Sequence, residues 1–330
     1  MNSQPRIITN MAFWQSPEWL RRTTSIYPLT GAKADPKFHS PWIEALMLMR
    51  RRRGYDVVLT MGARASFAYG LLCLLSGRRS KQILTEYFID AHRRGHPFWH
   101  FKHAIYRAIA RRAIGILTNS TGEIDTVAAR LDIPRDRLRF VPLNTNIQDP
   151  RASETDDGFV LAAGRTLRDY QTLLRTAPHI DKPITIICGF NDLEEADMPD
   201  NVTLLYEVSR EFYLDQVRRC TLVALPLLNT ERSTGQVVML EAMALGKPVV
   251  TTRSPGTVDY IRDGENGCLV PVGDADALAG TVNALLADPA RARALADAAL
   301  CDTREKFSIT THTRLKLDAI RELWSQSQTI

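Results

Sequence analysis

The chain has 330 residues, 45% hydrophobic and 24% charged, an ordinary globular composition with enough apolar material for two cores of average size. Five widely spaced cysteines (Cys73, Cys188, Cys220, Cys268 and Cys301) exclude a disulfide framework or a zinc site, and no apolar run approaches the roughly 20 residues of a membrane span. The net charge of +5 hides an asymmetry: residues 1–150 carry 23 Lys and Arg against 11 Asp and Glu, a net +12, and residues 151–330 carry the remaining 19 against 26, a net −7.

A basic first half calls for an acidic partner, which here means an anionic membrane face, a phosphorylated acceptor or nucleic acid. Nucleic acid is the weakest of these, because the chain has no zinc-finger spacing, no RNP-like aromatic sequence and no helix-turn-helix signature. The opening MNSQPRIITN has no apolar signal segment, so the expected compartment is the cytoplasm, with peripheral attachment to the inner face of the membrane.

Arg6 to Thr9 reads as a short first strand, followed by the aromatic and basic NMAFWQSPEWLRR without a glycine-rich loop. Trp42 to Arg53 has helical spacing and ends in Arg50, Arg51, Arg52 and Arg53. Two readings stand for it: a helix with a core face whose basic end favours its own C-terminal dipole, or a surface that meets anionic lipid. YDVVLT at 55–60 is a buried strand by its β-branched run, MGARAS is a turn, and an apolar helix continues to Leu75. QILTEY at 82–87 is the next strand. Ligands of open α/β sheets bind beyond the carboxyl ends of the strands, which makes Arg64, Glu86, Tyr87 and Asp90 candidates for the acceptor side.

His92 to Arg112 mixes four histidines and four aromatics with six basic residues. His92, His96 and His100 recur every four residues, but Pro97 interrupts the helix and no carboxylate or cysteine stands in register, so metal binding is not expected. The segment reads as a basic aromatic helix for a membrane interface, or as a plain surface helix with snorkelling arginines. Ile114 to Thr118 is a further strand, and the helix after TNS ends before Ile133-Pro134. DPRASETDD at 149–157 has linker composition, which puts the domain boundary between 152 and 153.

The second half opens with a strand at Phe159 to Ala163, then Gly164, Arg165 and a helix near Arg168. Strands follow at Ile184–Cys188, Val202–Tyr206 and Cys220–Leu227, and a helix starts at about Ser209. Ser233, Thr234, Gly235 and Gln236 are small or polar residues suited to a helix start, placed directly before VVMLEAMAL, and the N-terminus of that helix is a resting place for a diphosphate. Glu241 sits among Val237, Val238, Leu240 and Met243, and a carboxylate in such company is either paired or binds something. Gly246 supplies the C-terminal stop, Pro248 to Thr251 is a buried strand, and beyond Asp274 the chain reads as helical, ending in an amphipathic helix at Thr310–Ser325.

LEAMALGKPVV, DGENGCLVP and GDADALA together resemble the donor-binding core of GT-B glycosyltransferases of the GT4 type, the glycosyl transferases group 1. ILTNSTGEIDTVAARLDIPRDRLRFVPLNTNI extends the resemblance back to about residue 114, where it is similar to the last βαβ unit of the N-terminal domain of that family. The resemblance implies an α/β fold of two Rossmann-like, doubly wound domains facing across a cleft. Residues 1–152 would bind the acceptor and 153–309 the nucleotide sugar, with the helix 310–330 packing back on the first domain. It implies that Glu241 holds the ribose hydroxyls, that Gly164 and Arg165 grip the diphosphate with Arg168 as second cation, that Val208 lies against the nucleobase, and that the loop Ser233–Gln236 faces diphosphate and sugar. Where the family carries a first Glu in an E-x7-E pattern, this chain has Ser233, and Glu231 stands ten residues before Glu241.

Transfer from a sugar nucleotide needs a preorganised positive site for the departing diphosphate more than it needs a nucleophile, and Arg165, Arg168 and the helix start near Gly235 supply one. No paired carboxylates speak for a glycosidase-like double displacement. The resemblance implies a retaining hexosyltransferase that needs neither metal nor cofactor, with a UDP or GDP sugar as donor and a lipid-linked or glycan precursor as acceptor. The alternatives are a noncatalytic partner that binds a sugar nucleotide or docks on a membrane enzyme, and a nucleotide-sugar 2-epimerase on the same fold.

Overall fold

The computed structural model describes residues 4–27, 40–85, 97–194 and 198–329. The chain divides into two compact units, Met1–Val141 with Ile309–Ile330, and Pro142–Ser308. The elements of the first stretch are β1 (Ile7–Thr9), α1 (Pro17–Arg22), β2 (Thr23–Ser25), α2 (Pro41–Arg51), β3 (Val57–Thr60), α3 (Ala63–Leu75), β4 (Gln82–Thr85), α4 (Pro97–Arg112), β5 (Gly115–Thr118), α5 (Gly122–Leu131) and β6 (Leu138–Phe140). The second unit contains β7 (Val160–Ala163), α6 (Tyr170–Thr176), β8 (Ile184–Cys188), β9 (Val202–Tyr206), α7 (Arg210–Arg219), β10 (Leu222–Leu225), α8 (Gln236–Ala244), β11 (Val249–Thr252), β12 (Cys268–Val270), α9 (Ala275–Ala287) and α10 (Pro289–Glu305). The last helix, α11 (Ile309–Thr329), belongs to the first unit.

Each unit holds one six-stranded sheet in which every pairing is parallel, in the orders β2-β1-β3-β4-β5-β6 and β12-β11-β10-β7-β8-β9. The strands are short Val, Ile and Leu runs, and β3, β7 and β11 are buried along their whole length, as befits parallel strands covered on both faces. The second sheet has the doubly wound arrangement, in which the strand order runs outward from β7 to β9 and then resumes on the other side of β7 with β10. A crevice at the carboxyl ends of β7 and β10 is where such sheets take ligands.

Two elements of the first unit were not expected from the sequence. Ser16 caps α1 by accepting from the Trp19 amide, with Pro17 in the first turn, and the edge strand β2 follows directly. Trp19 is 1% exposed and packs with Ile7, Leu59, Leu117 and the buried Ile320 and Leu323 of α11. Ser16 and Thr313 join the same two helices through their hydroxyls, 2.8 Å apart. Each aliphatic side chain that α11 buries there contributes about 1.5–3 kcal/mol, which holds a helix distant in sequence against the first sheet.

The polar stretch 149–157 is not a free linker, because its neighbours are all in the second unit. The Ser153 amide donates to Leu245 O at 3.0 Å, Ser153 Oγ donates to Arg218 O at 2.8 Å, and Arg304 Nε donates to Pro150 O at 2.9 Å. Earlier still, the Leu143 amide donates to the Tyr260 hydroxyl and the Thr145 amide to Phe307 O. The chain therefore passes from one unit to the other at Val141–Pro142, upstream of the segment whose composition suggested a boundary.

Arg52 also departs from expectation. It is 6% exposed, and its guanidinium donates to the Arg79 carbonyl and to Cys73 Sγ, so it is an internal strut of the α2–α3 packing rather than part of a basic surface. Arg50, Arg51 and Arg53 remain exposed. Among the described residues no helix is long and apolar enough to cross a membrane.

Candidate functional site

Beyond the carboxyl ends of β7 and β8, beside α7 and α8, lies a pocket of about 430 Å3, lined by Gly164, Arg165, Glu207, Val208, Arg210 and Glu241 among others. Its size is that of a small-molecule site. Gly164, Arg165, Val208 and Glu241 come from three separate stretches of sequence, and the fold brings them together.

Glu241 lies on α8 and is 1% exposed. Its Oε1 accepts from Arg210 at 2.8 Å and from Asn146 Nδ2 at 3.4 Å, and its Oε2 accepts from the Tyr213 hydroxyl at 2.9 Å. Arg210 and Tyr213 are three residues apart on α7, so one face of that helix presents both to the carboxylate. Burial, followed by the charge and hydrogen bond of Glu241, pushes the Tyr213 phenol well above its ordinary value, so it remains a proton donor. A carboxylate has about four acceptor positions, and these contacts leave capacity for a ligand hydroxyl.

Gly164 follows β7 with φ +124, and a Cβ there would stand 2.3 Å from the Arg168 guanidinium. Only glycine fits that position. Arg165, next in the chain, is exposed and pairs with Glu207 at 2.7 Å. Glu207 itself has φ +48, a left-handed conformation uncommon for a side-chain-bearing residue and often found at binding sites.

Arg168 is not among the residues lining the pocket. Its Nε donates to Ala163 O at 2.9 Å, and one terminal nitrogen donates to Thr166 O at 2.7 Å and to Thr234 Oγ1 at 3.3 Å. Three of its five N–H donors thus go to the loops it braces, and burial holds its pKa below the usual arginine value. The second cation that does line the pocket is Arg210, which the sequence did not single out because its role depends on α7 packing beside α8.

Ser233, Thr234 and Gln236 are buried at the start of α8, with Gly235 as its N-cap at φ +91. Thr234 Oγ1 donates to Thr166 O, which ties the α8 loop to the loop after β7. The Gln236 side-chain nitrogen is buried and has no hydrogen-bond partner among the described residues. Val237 and Val238 line the pocket instead of the four residues before them.

On the first unit, Arg64 is exposed in the first turn of α3, just beyond the carboxyl end of β3. Glu86, Tyr87, Asp90, His92 and His96 lie outside the described residues. The same sheet end carries a buried carboxylate that sequence reading passed over. Glu44, 7% exposed, accepts from Asn10 Nδ2 at 2.7 Å and from the Tyr27 hydroxyl, and Asn10 also pairs with the backbone of Met61. The signal was present, since WIEALMLM sets a lone carboxylate among apolar residues as VVMLEAMAL does. Among the described residues no group of three or more His, Cys, Asp or Glu side chains is placed to hold a metal ion.

Residues 158–288 match the family glycosyl transferases group 1. Over 177 residues the chain is 34% identical to a D-inositol 3-phosphate glycosyltransferase of Mycolicibacterium vanbaalenii, covering 50% of this chain and 38% of that one. Over 59 residues it is 48% identical to a GDP-mannose-dependent alpha-(1-6)-phosphatidylinositol monomannoside mannosyltransferase of Mycolicibacterium smegmatis, covering 18% and 15% respectively. The matched stretch therefore spans well under half the length of these curated relatives. Among solved structures, HepE of Anabaena in complex with UDP-glucose superposes with a TM-score of 0.65 at 16% identity, covering 99% of this chain and 100% of that one. At that identity the likeness establishes the fold.

Proposed function

From a chain that carries a glycosyl transferases group 1 domain at residues 158–288 on the fold of GT-B glycosyltransferases, we propose that the pocket binds a nucleotide-diphosphate sugar and that the protein transfers the sugar, with retention, to a hydroxyl acceptor. The observation that carries this reading is the pairing, in one pocket, of a buried carboxylate with an exposed guanidinium, Glu241 and Arg165. The carboxylate suits vicinal ribose hydroxyls. The guanidinium suits a diphosphate, which it contacts with two parallel donors and whose growing negative charge it offsets as the glycosidic bond breaks.

Val208 flanks the nucleobase, Gly164 lets the backbone approach the phosphates, and Arg168, Ser233, Thr234 and Gly235 shape the α8 N-terminus behind them. With guanidinium groups and a helix terminus at the phosphates, the reaction proceeds without a metal ion, and the acceptor hydroxyl attacks on the face the diphosphate leaves. Arg64, Glu86 and Asp90 belong to the acceptor side. The donor carries UDP or GDP, the nucleotides that appear in the names of HepE's complex and of the mannosyltransferase.

Thermal stabilisation by UDP, GDP, ADP and TDP, followed by assay of labelled sugar transfer into a glycolipid extract, tests this directly. One diphosphate is expected to raise Tm by several degrees and its sugar to be transferred. Stabilisation without transfer or hydrolysis points to a noncatalytic sugar-nucleotide-binding partner, interconversion of the free donor points to a 2-epimerase, and no stabilisation by any of the four removes the reading.

The acceptor is lipid-linked or a glycan precursor, met by the protein at the cytoplasmic face of the membrane. On the first unit Trp42, Ile43 and Leu46 of α2 are each about half exposed, as the values 48%, 50% and 46% show, close to the exposed Arg50, Arg51 and Arg53. Helix α3 packs between α2 and α4, and on α4 Phe98 and Phe101 are exposed beside Lys102. Exposed aromatics amid basic residues suit an anionic interface, where each Lys or Arg contributes about 1 kcal/mol. The protein is expected to sediment with anionic liposomes at low salt, to be released as salt approaches roughly 0.5 M, and to ignore neutral liposomes. Replacing Arg50, Arg51 and Arg53 by Gln weakens the association without loss of the fold, whereas Arg52 is left intact because it is buried. A wild type that stays in the supernatant with anionic vesicles at low salt removes the membrane from this account.

A further inference from the structure

Arg210 lines a second pocket as well. This cavity, of about 520 Å3, is bounded by α7 and by the segment from Asn146 to Ser153. Three arginines line it, Arg151, Arg210 and Arg218, against one carboxylate, Asp149. Arg151 and Asp149 are 3.8 Å apart with side chains 78% and 81% exposed, a pair that neutralises little. Among the described residues Arg218 makes no ion pair, although the adjacent Arg219 has Asp157 and Asp215. Ile147, Leu214 and Leu245 add apolar wall.

The cavity is preformed. Hydrogen bonds from Asn146 to Glu241, from Arg304 to Pro150 O and from Ser153 to Leu245 O and Arg218 O hold the segment along its length. Gly246, at φ +66, leaves no room for a Cβ, which would stand 2.7 Å from Ala152. Arg210 is already paired with Glu241, so the charge in excess comes from Arg218 and the loosely paired Arg151; three guanidiniums around a fixed cavity of small-molecule size, with an apolar wall, select an oxyanion on a small carbon body. We propose that this second pocket is an anion site that takes a phosphate-bearing ligand through Arg151, Arg210 and Arg218, separate from the donor pocket.

The test must keep the two pockets apart, because pyrophosphate is also expected to enter the donor site. Full-length protein carrying Arg165→Gln has a weakened donor phosphate subsite. In that background saturating pyrophosphate is expected to raise Tm by about 2 °C, and adding Arg151→Gln and Arg218→Gln is expected to abolish the rise. All three side chains are solvent-facing, so the variants are expected to keep the wild-type far-UV circular dichroism and ligand-free Tm. Stabilisation by the nucleoside diphosphate, measured in the Arg151→Gln/Arg218→Gln protein with Arg165 intact, reports on the donor reading independently. A pyrophosphate shift that vanishes with Arg165→Gln alone, or that survives loss of Arg151 and Arg218, overturns the second site. Glycerol 3-phosphate in place of pyrophosphate, run beside cosedimentation with phosphatidate vesicles, tells a free phosphate ester from a lipid headgroup; in either case the effect must disappear in the double variant.

Discussion

Glu241→Ala is expected to lower nucleoside-diphosphate affinity by about 100-fold. A hydrogen bond from a ribose hydroxyl to a carboxylate at 1% exposure is worth about 1.5–3 kcal/mol, and roughly 2.7 kcal/mol is two decades of affinity. The substitution also leaves the Tyr213 hydroxyl and one face of Arg210 without their acceptor. Arg210 is half exposed and turns to water at little cost, whereas the half-buried Tyr213 hydroxyl loses its partner, a penalty of about 1 kcal/mol in stability. The two effects are separable: Tyr213→Phe removes the hydroxyl but keeps the carboxylate, so it shares the stability change and retains most of the affinity. Titration of the stabilising diphosphate into wild type and both variants checks this, and equal affinity for wild type and Glu241→Ala would reject the role given to Glu241.

Arg165→Ala is expected to cost about 100-fold in kcat, the typical loss on removing one preorganised donor from developing charge, with a much smaller change in donor KM. In the structure the guanidinium is held by Glu207, whose backbone is in the left-handed region, so Arg165 is placed before any donor arrives. Arg165→Lys keeps the charge but loses the two-pronged geometry, and its turnover should fall between the wild type and the alanine variant. Steady-state kinetics with the identified donor decide the matter. Normal kcat with only a raised donor KM would show that the arginine holds ground state and transition state alike.

Glu241 drew attention in the sequence because it breaks a local pattern, whereas Arg165 was singled out only through the family resemblance. Glu241 is a carboxylate in an apolar helical run, and Arg165 follows a glycine directly after a buried strand. The strands at 57–60, 160–163, 184–188, 222–225 and 249–252 were legible for a related reason: β-branched and aliphatic runs of this length, bounded by turn residues, have few other uses. Parallel sheets and a doubly wound class follow from their alternation with helices, which is a property of order along the chain.

What periodicity does not contain is which polar groups meet across elements. Arg210 and Tyr213 reach Glu241 only because α7 packs beside α8, and nothing in SREFY marks them apart from any other helix start. Arg168, the second cation that the family resemblance implied, gives three of its five N–H donors to acceptors in its own and a neighbouring loop, a bracing role that sequence alone does not display. Arg52 looked like one of four surface arginines, but the helix turns by about 100° per residue and points it alone into the α2–α3 contact, where the Arg79 carbonyl accepts from it. The polar composition of 149–157 suggested a linker, whereas the Ser153 amide, the Ser153 hydroxyl and the Pro150 carbonyl find partners on Leu245, Arg218 and Arg304 of the second unit. Local physics, propensity and burial alternation, set the elements of this protein, and distances between residues far apart in sequence decided which of its charges face a ligand and which are used to hold the fold.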